Sequence, residues 1–451
     1  MQKRDLARTS GGLEPNLRNS TDVTPMPEPS SLEHLSGQCR LDVFKRGRDR
    51  YEKTSYPSRT GIYHEIISKR AVLHFNLNGE IIRLAGRGKD WPHPQEWLKR
   101  TIGNDWIYYS TGGYTGVFET TGEYYLPNLP YPTNNHMGGR PFETTAVKTL
   151  IRSWFEDARA ALADVDDGPS QISSVARRIL ASSPEALAAK SGLLRRITGG
   201  PVSVLPPDTR HVDYQVIPLN ISRGCLYKCG FCRVKNSSRF TPLNRDTIEA
   251  NIGRLADFFG DDLTNFNAAF LGDHDALNCE PDLILEAIQL ACAGLRLDSS
   301  SIRGGNVFMF GSVSSLMKHK QVFFDALGRL PISVYINIGL ESAHQNTLDL
   351  LEKPLSAHEV AAAFERMQQI NQACPNVEMT ANFVTGQELP DGHYEALLSL
   401  VRNSLNSAKS KGCIYLSPLQ FDSPSRARLF DFYRLKRLSR LPLFMYTIQR
   451  L

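Results

Sequence analysis

Six short apolar segments alternate with helical patterns over the second half of this 451-residue chain. Each segment has the length of a strand, and a helix-length amphipathic stretch follows it. Parallel strands need crossovers of this length and are buried on both faces, so the alternation predicts an α/β fold with a parallel sheet. The six predicted strands are Val216–Ser222, Asn267–Gly272, Asn306–Ser312, Ser333–Glu341, Glu378–Gly386 and Cys413–Leu419.

Three cysteines, Cys225, Cys229 and Cys232, follow the first of these strands with C-x3-C-x2-C spacing. A single tight loop can direct thiolates this close in sequence at one metal centre. Structural zinc normally takes four protein ligands, and the sequence has no second C-x2-C or H-x3-H pair to complete such a site. Three thiolates on a cubane iron–sulfur cluster leave one iron open. A zinc loop and three unrelated core cysteines are the alternatives that the spacing leaves open.

The segment around the cysteines resembles the signature of radical S-adenosylmethionine (SAM) enzymes. The likeness includes Phe231 between the second and third cysteines, and Arg223 and Gly224 before the first. It implies a 4Fe-4S cluster on the three cysteines, whose open iron binds SAM and whose reduced form cleaves SAM to methionine and a 5'-deoxyadenosyl radical. It also implies an open, partial (β/α)6 TIM-like barrel. The site of such a fold lies at the carboxyl ends of the strands.

The same resemblance implies polar contacts to SAM from the strand ends. Gly272 and Asp273 stand where the family has a Gly-Gly-Glu-like turn that holds the SAM amino group, and a carboxylate suits an ammonium group. The choice between Asp273 and Asp275 stays open. Ser312 and Glu341 are the other expected polar contacts.

Contacts to the adenine are expected from Phe231, Val384 and Tyr415. The segment from Ile336 to Pro354 is close to the I-G-L-E-S segment of one radical SAM subgroup. That subgroup contains elongator protein 3, methylthiotransferases and nitrogenase cofactor maturases.

The N-terminal half is divided by composition and periodicity. Residues 1–58 are rich in Ser, Pro and mixed charge, which predicts a disordered leader. Residues 60–145 are expected to form a small α+β domain, in which alternating apolar residues around an Asn-Gly turn at 78–79 predict a hairpin. Prolines near the start of residues 90–101 predict a short helix there. The remaining predicted parts are a helical linker region at 146–210, the radical SAM partial barrel at 211–420 and a basic C-terminal helix or tail at 421–451.

The formal net charge of +5 is concentrated in the C-terminal tail. Leucines and aromatic residues between its basic residues favour a packed helix with solvated arginines, and nucleic-acid binding is the less favoured alternative. The sequence predicts neither a membrane span nor a secretory signal, and the other five cysteines are scattered singly. We therefore expect a cytoplasmic protein that does not bind membranes.

The predicted function is hydrogen abstraction by a radical SAM enzyme from an unidentified small-molecule or peptide substrate. An external electron donor of the flavodoxin or ferredoxin type is expected. The alternatives are an RNA-modifying enzyme of methylthiotransferase type and a non-catalytic iron–sulfur or zinc module. The aromatic, glycine-rich segment Asn104–Pro132 is the candidate to close the barrel mouth, because an adenosyl radical must be kept from water.

Overall fold

Two seven-stranded sheets, one antiparallel and one parallel, organise the part of the chain that the structure describes. The computed structural model describes residues 32–36, 39–50, 61–91, 96–110, 144–166, 168–200, 216–232, 239–272, 274–386, 388–403, 411–419 and 426–445. Within these residues, no helix combines the length and the apolar character needed to cross a membrane.

Each strand of the antiparallel sheet pairs with the next one along the chain. Its strands are β1 Leu32–Ser36, β2 Cys39–Arg46, β3 Ile62–Ile67, β4 Ala71–Phe75, β5 Ile81–Gly86, β6 Glu96–Arg100 and β7 Trp106–Ser110. The predicted hairpin is confirmed by the antiparallel pairing of β4 with β5. Gly79 in its turn has φ +80°, a left-handed conformation that favours glycine.

Two predictions for this half are wrong. Strands β1 and β2 lie inside the predicted leader, because Leu41 pairs with Ile66 across the sheet and both become buried. The predicted helix at 90–101 contains strand β6, because Leu98 pairs with Leu84 on one side and with Tyr108 on the other. In both cases pairing within the sheet outweighed a local pattern. Residues 1–31, 51–60 and 92–95 lie outside the described residues.

Three helices follow in the predicted linker region: α1 Thr145–Ala161, α2 Gln171–Ala181 and α3 Pro184–Thr198. Trp154 of α1 and Ile179 of α2 share one buried cluster with Leu73 and Phe75 of the sheet. These helices are therefore part of the first core. Helix α3 reaches the second core, which is the buried cluster around the parallel sheet. Its residues Leu194 and Ile197 belong to that cluster.

The parallel sheet has strand order β8-β11-β12-β13-β14-β15-β16. Its strands are β8 Val216–Leu219, β11 Ala268–Leu271, β12 Asn306–Gly311, β13 Ser333–Glu341, β14 Val377–Thr385, β15 Ile414–Pro418 and β16 Leu443–Met445. Every neighbouring pair is parallel. The predicted α/β class and its parallel sheet are thus confirmed, and β16 is a seventh strand that the sequence pattern did not reveal.

Helices connect these strands and bury their apolar faces against the sheet. They are α4 Arg245–Phe259, α5 Pro281–Gly294, α6 Val313–Lys318, α7 Gln321–Gly328, α8 Gln345–Leu350, α9 Ala357–Ala373, α10 His393–Asn403 and α11 Arg426–Leu438. Short 3-10 helices lie at Gly260–Asn265 and Ala276–Asn278. Phe432 and Leu435 of α11 are buried in the second core, which confirms the packed helix predicted for the basic tail.

The antiparallel sheet is fixed to the second half by buried hydrogen bonds. The Asn265 side chain bonds both backbone groups of Ile62, accepting at 2.7 Å and donating at 2.8 Å. The Leu77 N–H donates to Asp262 Oδ1 at 3.2 Å. Asn265 and Asp262 precede β11, so these contacts lie at the amino end of a parallel strand.

Candidate functional site

The cysteine loop begins at the carboxyl end of β8 and is closed at its base by a short ladder. Strand β9 Ser222–Arg223 pairs antiparallel with β10 Thr241–Pro242. The Leu243 N–H adds a hydrogen bond to the Ile221 carbonyl oxygen at 2.9 Å. The loop therefore leaves and returns at one point beside the parallel sheet. Residues 233–238 of the loop lie outside the described residues.

The structure places the three cysteines on this loop as free thiols, Cys229 buried and Cys225 and Cys232 half-buried. Burial raises the pKa values of Cys225 and Cys229, and the three thiols are close enough to influence one another electrostatically. Across the described residues, no group of three or more His, Cys, Asp or Glu side chains has the arrangement of a metal site. The donor set nevertheless fits an iron–sulfur cluster chemically, because cysteine thiolates are the protein ligands that hold such clusters.

The loop is docked against the segments that follow β12 and β13. The Gly230 N–H donates to the Leu351 carbonyl oxygen at 3.1 Å. The Tyr227 hydroxyl accepts a hydrogen bond from the Ser314 N–H at 3.2 Å and also contacts the Ser314 hydroxyl. These contacts bring the cysteine loop beside the segments that follow the carboxyl ends of β12 and β13.

Glu341 and Lys353 form a buried ion pair next to the loop. Lys353 Nζ lies 3.2 Å from Glu341 Oε1, and the side chains are 6% and 10% exposed. Burial acts to lower the pKa of Lys353, but the charges of Glu341 and Cys229 outweigh it and raise the pKa. Glu341 has φ +65° where β13 deviates from regular pairing with β14. A positive φ is costly for a non-glycine residue, so the surrounding contacts must hold it.

Asp275 and Ser312 meet at the ends of β11 and β12. The Ser312 N–H donates to Asp275 Oδ1 at 3.1 Å, whereas the buried Asp275 Oδ2 has no hydrogen-bond partner. Burial raises the pKa of Asp275. The Ser312 hydroxyl caps α6 through Ser315. Of the two carboxylates left open by the sequence, Asp275 is thus the described one, and Asp273 lies outside the described residues.

His393 links the ends of β13 and β14. Its Nε2 lies 3.0 Å from the Val384 carbonyl oxygen, and its Nδ1 lies 2.9 Å from the Ser342 hydroxyl. Because a carbonyl only accepts, Nε2 carries the proton and Nδ1 accepts from Ser342. Burial lowers the pKa of His393, which favours this neutral form.

The other residues predicted to contact SAM differ in their burial and in their position along the strands. Gly272 directly follows β11 and has φ +95°, and a Cβ there would lie 3.0 Å from the Ala276 Cβ. Phe231 is half-buried on the loop. Val384 and Tyr415 are fully buried. Tyr415 lies within β15 rather than at its end, and its ring is 5.7 Å from that of Phe444 in β16.

Sequence reasoning missed three residues of this region: Lys353, Tyr227 and His393. Tyr227 was visible as an aromatic residue inside the cysteine motif, and Lys353 as the lysine before Pro354. Their burial and their partners depend on how distant segments pack, which no local pattern reveals.

Comparison with solved structures finds similarity to two radical SAM enzymes and to a methylornithine synthase. A radical SAM methyltransferase from Sphaerobacter thermophilus matches 51% of this chain and 66% of its own, with 17% identity and a TM-score of 0.35. The cobalamin-dependent SAM radical enzyme OxsB matches over 42% and 27%, with 16% identity and a TM-score of 0.32. Methylornithine synthase (PylB) matches over 57% and 75%, with 12% identity and a TM-score of 0.32.

No protein-family model and no curated protein matches the chain. The chain covers 66% of the methyltransferase and 27% of OxsB, so both proteins contain parts without a counterpart here.

Proposed function

We propose that this protein is a radical SAM enzyme that binds one 4Fe-4S cluster through Cys225, Cys229 and Cys232. When bound, such a cluster passes one electron to SAM, which breaks into methionine and a 5'-deoxyadenosyl radical that takes a hydrogen atom from the substrate. The supporting observation is the position of the C-x3-C-x2-C loop, which follows the first strand of the parallel sheet and contacts the segments after β12 and β13. Sites of α/β folds lie at this end of the sheet.

The buried charges around the loop suit both cofactors. Lys353 is a cation near Cys229, so it offsets the negative charge that the thiols acquire when they lose their protons to bind iron. The unpartnered Asp275 Oδ2 suits the ammonium group of SAM, because a carboxylate and an ammonium form a strong, charge-assisted hydrogen bond. Glu341 remains a proposed polar contact through its second oxygen. Gly272 has no side chain, so the backbone there can lie close to bound SAM.

The electron needs an external donor, for which we propose a carrier of the flavodoxin or ferredoxin type. From Val216 to Asn244 the sequence has five Arg and Lys and no Asp or Glu. Arg223 and Lys228 are exposed within this stretch. Exposed cations attract a carrier of opposite charge and accelerate its association.

Finer assignments belong to the same proposal. The order of parallel strands is compatible with a partial (β/α)6 barrel that β16 extends by one strand. The I-G-L-E-S likeness favours the subgroup of elongator protein 3, methylthiotransferases and nitrogenase cofactor maturases. We propose a small-molecule or peptide substrate and a cytoplasmic location.

Anaerobic reconstitution tests this function. We expect about four irons and four sulfides per chain, and release of 5'-deoxyadenosine from SAM after reduction. Substitution of any one of Cys225, Cys229 or Cys232 by Ala should abolish that release. Cys374→Ala is the matched control, because this buried thiol lies beside Asp325, away from the loop. About one zinc and no sulfide per chain would instead support a zinc module.

A further inference from the structure

The parallel sheet has a second face, opposite the one that packs on its helices. Ile336 and Ile338 of β13 are buried in the core with those helices. Successive positions of a strand point to opposite faces, so Asn337 and Gly339 lie on the second face. Asn382 of β14 lies there too, because it pairs with Gly339. Gly339 and Asn382 are only half-buried, so part of this face is accessible.

Two amide oxygens on this face are buried without a hydrogen-bond donor. Asn337 is fully buried, and its Nδ2 donates to Thr380 Oγ1 at 2.8 Å, which leaves its Oδ1 for another donor. Neither Asn337 Oδ1 nor Asn382 Oδ1 has a hydrogen-bond partner within the described part of the chain. A buried acceptor without a donor is costly, and native proteins retain few of them. The two oxygens therefore indicate a ligand that supplies the donors.

The two amides lie next to the buried ion pair beside the cysteine loop. A Cβ at Gly339 would lie 2.6 Å from Glu341 Oε1 and 3.4 Å from Lys353 Nζ, so the pair covers Gly339. Asn337 precedes Gly339 by about 7 Å along the strand, and Asn382 is the partner of Gly339 on β14. A molecule held by both amides therefore lies beside the proposed SAM site, on its amino-terminal side along the strands.

Aromatic rings lie on the same face as these amides. Phe310 occupies the position of β12 opposite Asn337, and its ring meets the Phe270 ring edge to face, with centroids 5.8 Å apart. Phe308 and Tyr335 stack with centroids 5.1 Å apart. These rings favour an apolar ligand body. Amide oxygens repel an anion, and two neutral oxygens do not offset the cost of burying a cation, so the bound group is neutral.

We propose that Asn337 and Asn382 bind the substrate of the radical reaction through a neutral N–H2 group, that of a primary carboxamide on an apolar body. Two acceptors on adjacent strands match the two hydrogens of one such group. This inference rests on the proposed function, which makes the bound molecule a substrate. A primary carboxamide belongs to a small molecule or to the glutamine or asparagine side chain of a peptide, and its chemistry is the same in both.

Calorimetric titration of the full-length, anaerobically reconstituted protein with benzamide and with acetophenone tests the site. The two probes have nearly the same shape, but acetophenone has a methyl group in place of the N–H2 group. We expect the wild type to bind benzamide at least about tenfold more tightly, because acetophenone leaves both oxygens without a donor. Tighter binding of N-acetylglutamine methylamide than of benzamide would indicate a peptide substrate, and weaker binding would indicate a small molecule.

Two substitutions test the assigned residues. Asn337→Leu and Asn382→Leu should each reduce the preference for benzamide to less than about threefold. Asn267→Leu is the matched control, because Asn267 Oδ1 is also buried without a partner among the described residues. Asn267 directly precedes β11, at the opposite end of the strands, so this variant should keep the preference.

Melting experiments without any probe separate binding from a structural role. The Asn371 amide is fully bonded, because its Oδ1 accepts from the Met379 N–H and its Nδ2 donates to the Met379 carbonyl oxygen. Asn371→Leu should therefore lower the melting temperature. Asn382→Leu removes an acceptor without a partner, so it should melt no lower than the wild type. A decrease in Asn382→Leu as large as that in Asn371→Leu would overturn the proposal.

The proposal is also overturned if the wild type binds benzamide no better than acetophenone, or if Asn337→Leu keeps the preference as Asn267→Leu does. Release of 5'-deoxyadenosine from SAM by such a protein would leave the proposed function standing. Conversely, a protein that prefers benzamide through Asn337 but assembles no cluster would retain the amide site and refute the radical SAM function.

Discussion

At the scale of single residues, the buried Glu341–Lys353 pair connects the end of β13 to the cysteine loop. Glu341 holds a positive φ, and Lys353 contacts both its carboxylate and the face of the Tyr227 ring, 5.3 Å from the centroid. Lys353 therefore connects β13 to the loop. A buried pair of this kind contributes little net stability, but removal of one partner leaves an uncompensated buried charge.

Lys353→Met is expected to reduce the free energy of unfolding by about 3 kcal/mol, because it leaves the Glu341 carboxylate buried without its cation. The double variant Glu341→Gln with Lys353→Met should recover at least about 1 kcal/mol of that loss. Denaturant unfolding measures both values.

The control for this prediction is Lys318→Met, which breaks the exposed ion pair between Lys318 and Glu280. This substitution should reduce the free energy of unfolding by less than about 1 kcal/mol. Equal losses for Lys353→Met and Lys318→Met would show that burial of the first pair has no energetic consequence.

The residues that the sequence indicated are those whose chemistry needs close spacing or a strand end. Cys225, Cys229 and Cys232 are spaced for one loop, and Glu341 ends a predicted strand. Lys353 was not indicated, because its partners lie 12 and more positions away and its burial follows from tertiary packing.

At the scale of elements, a row of ionisable side chains crosses the antiparallel sheet. Asp42, Glu65 and His74 occupy facing positions on β2, β3 and β4. Glu65 accepts a hydrogen bond from His74 Nε2 at 2.7 Å and contacts Lys45. Burial alone would raise the pKa of Glu65, but these two partners outweigh it and lower the pKa to about 2.

Glu65→Gln is therefore expected to change how stability depends on pH. A carboxyl group with a lowered folded-state pKa adds stability above its ordinary pKa, and that stability is lost as the pH falls toward the folded value. Between about pH 5 and pH 2 the wild type should lose about 3 kcal/mol more than Glu65→Gln, from the size of the pKa shift. Urea unfolding across this range measures the difference.

Glu156→Gln provides the comparison, because Glu156 belongs to an exposed ion pair with Arg159. This variant should follow the wild-type pH profile. If the stability of the wild type changed with pH in parallel with that of Glu65→Gln, the lowered pKa of Glu65 would be contradicted.

The predicted elements were most reliable where local pattern and tertiary pairing agree. The six strands predicted for the parallel sheet are all present in the structure, and their apolar residues are buried. Strand β16 has only three residues and follows a basic helix, so its apolar pattern was too short to identify. Strands β2 and β6 carry several charged residues among their apolar ones, and pairing within the sheet decides their structure.

At the scale of the whole molecule, the position of the antiparallel sheet limits its role. Its hydrogen bonds to Asn265 and Asp262 hold it at the amino end of β11, whereas the cysteine loop follows the carboxyl end of β8. These contacts therefore do not place the sheet over the candidate site. Of the segment Asn104–Pro132 expected to close the site, residues 111–132 lie outside the described residues.

Helix α3 connects the two cores, and this predicts where the chain can be divided. Leu194 and Ile197 are buried in the second core, and the Thr198 carbonyl oxygen accepts from Asn220 Nδ2 at 2.9 Å. A chain that begins at Ser183 keeps these contacts, whereas one that begins at Ser203 loses them. Burial of the two side chains contributes about 4 kcal/mol, which corresponds to a melting temperature about 10 °C higher for the chain that begins at Ser183.

Calorimetry of the two truncated chains, both anaerobically reconstituted, measures this difference. Both lack the antiparallel sheet and expose the same surface around Asn265, so the comparison isolates α3. The chain that begins at Ser183 should retain about four irons per molecule, because it contains the loop and the ends of every parallel strand. It should also release 5'-deoxyadenosine from SAM, since the antiparallel sheet is held at the opposite end of the strands. Equal melting temperatures would show that α3 belongs to the first core alone, and loss of iron from both chains would show that the loop depends on the antiparallel half.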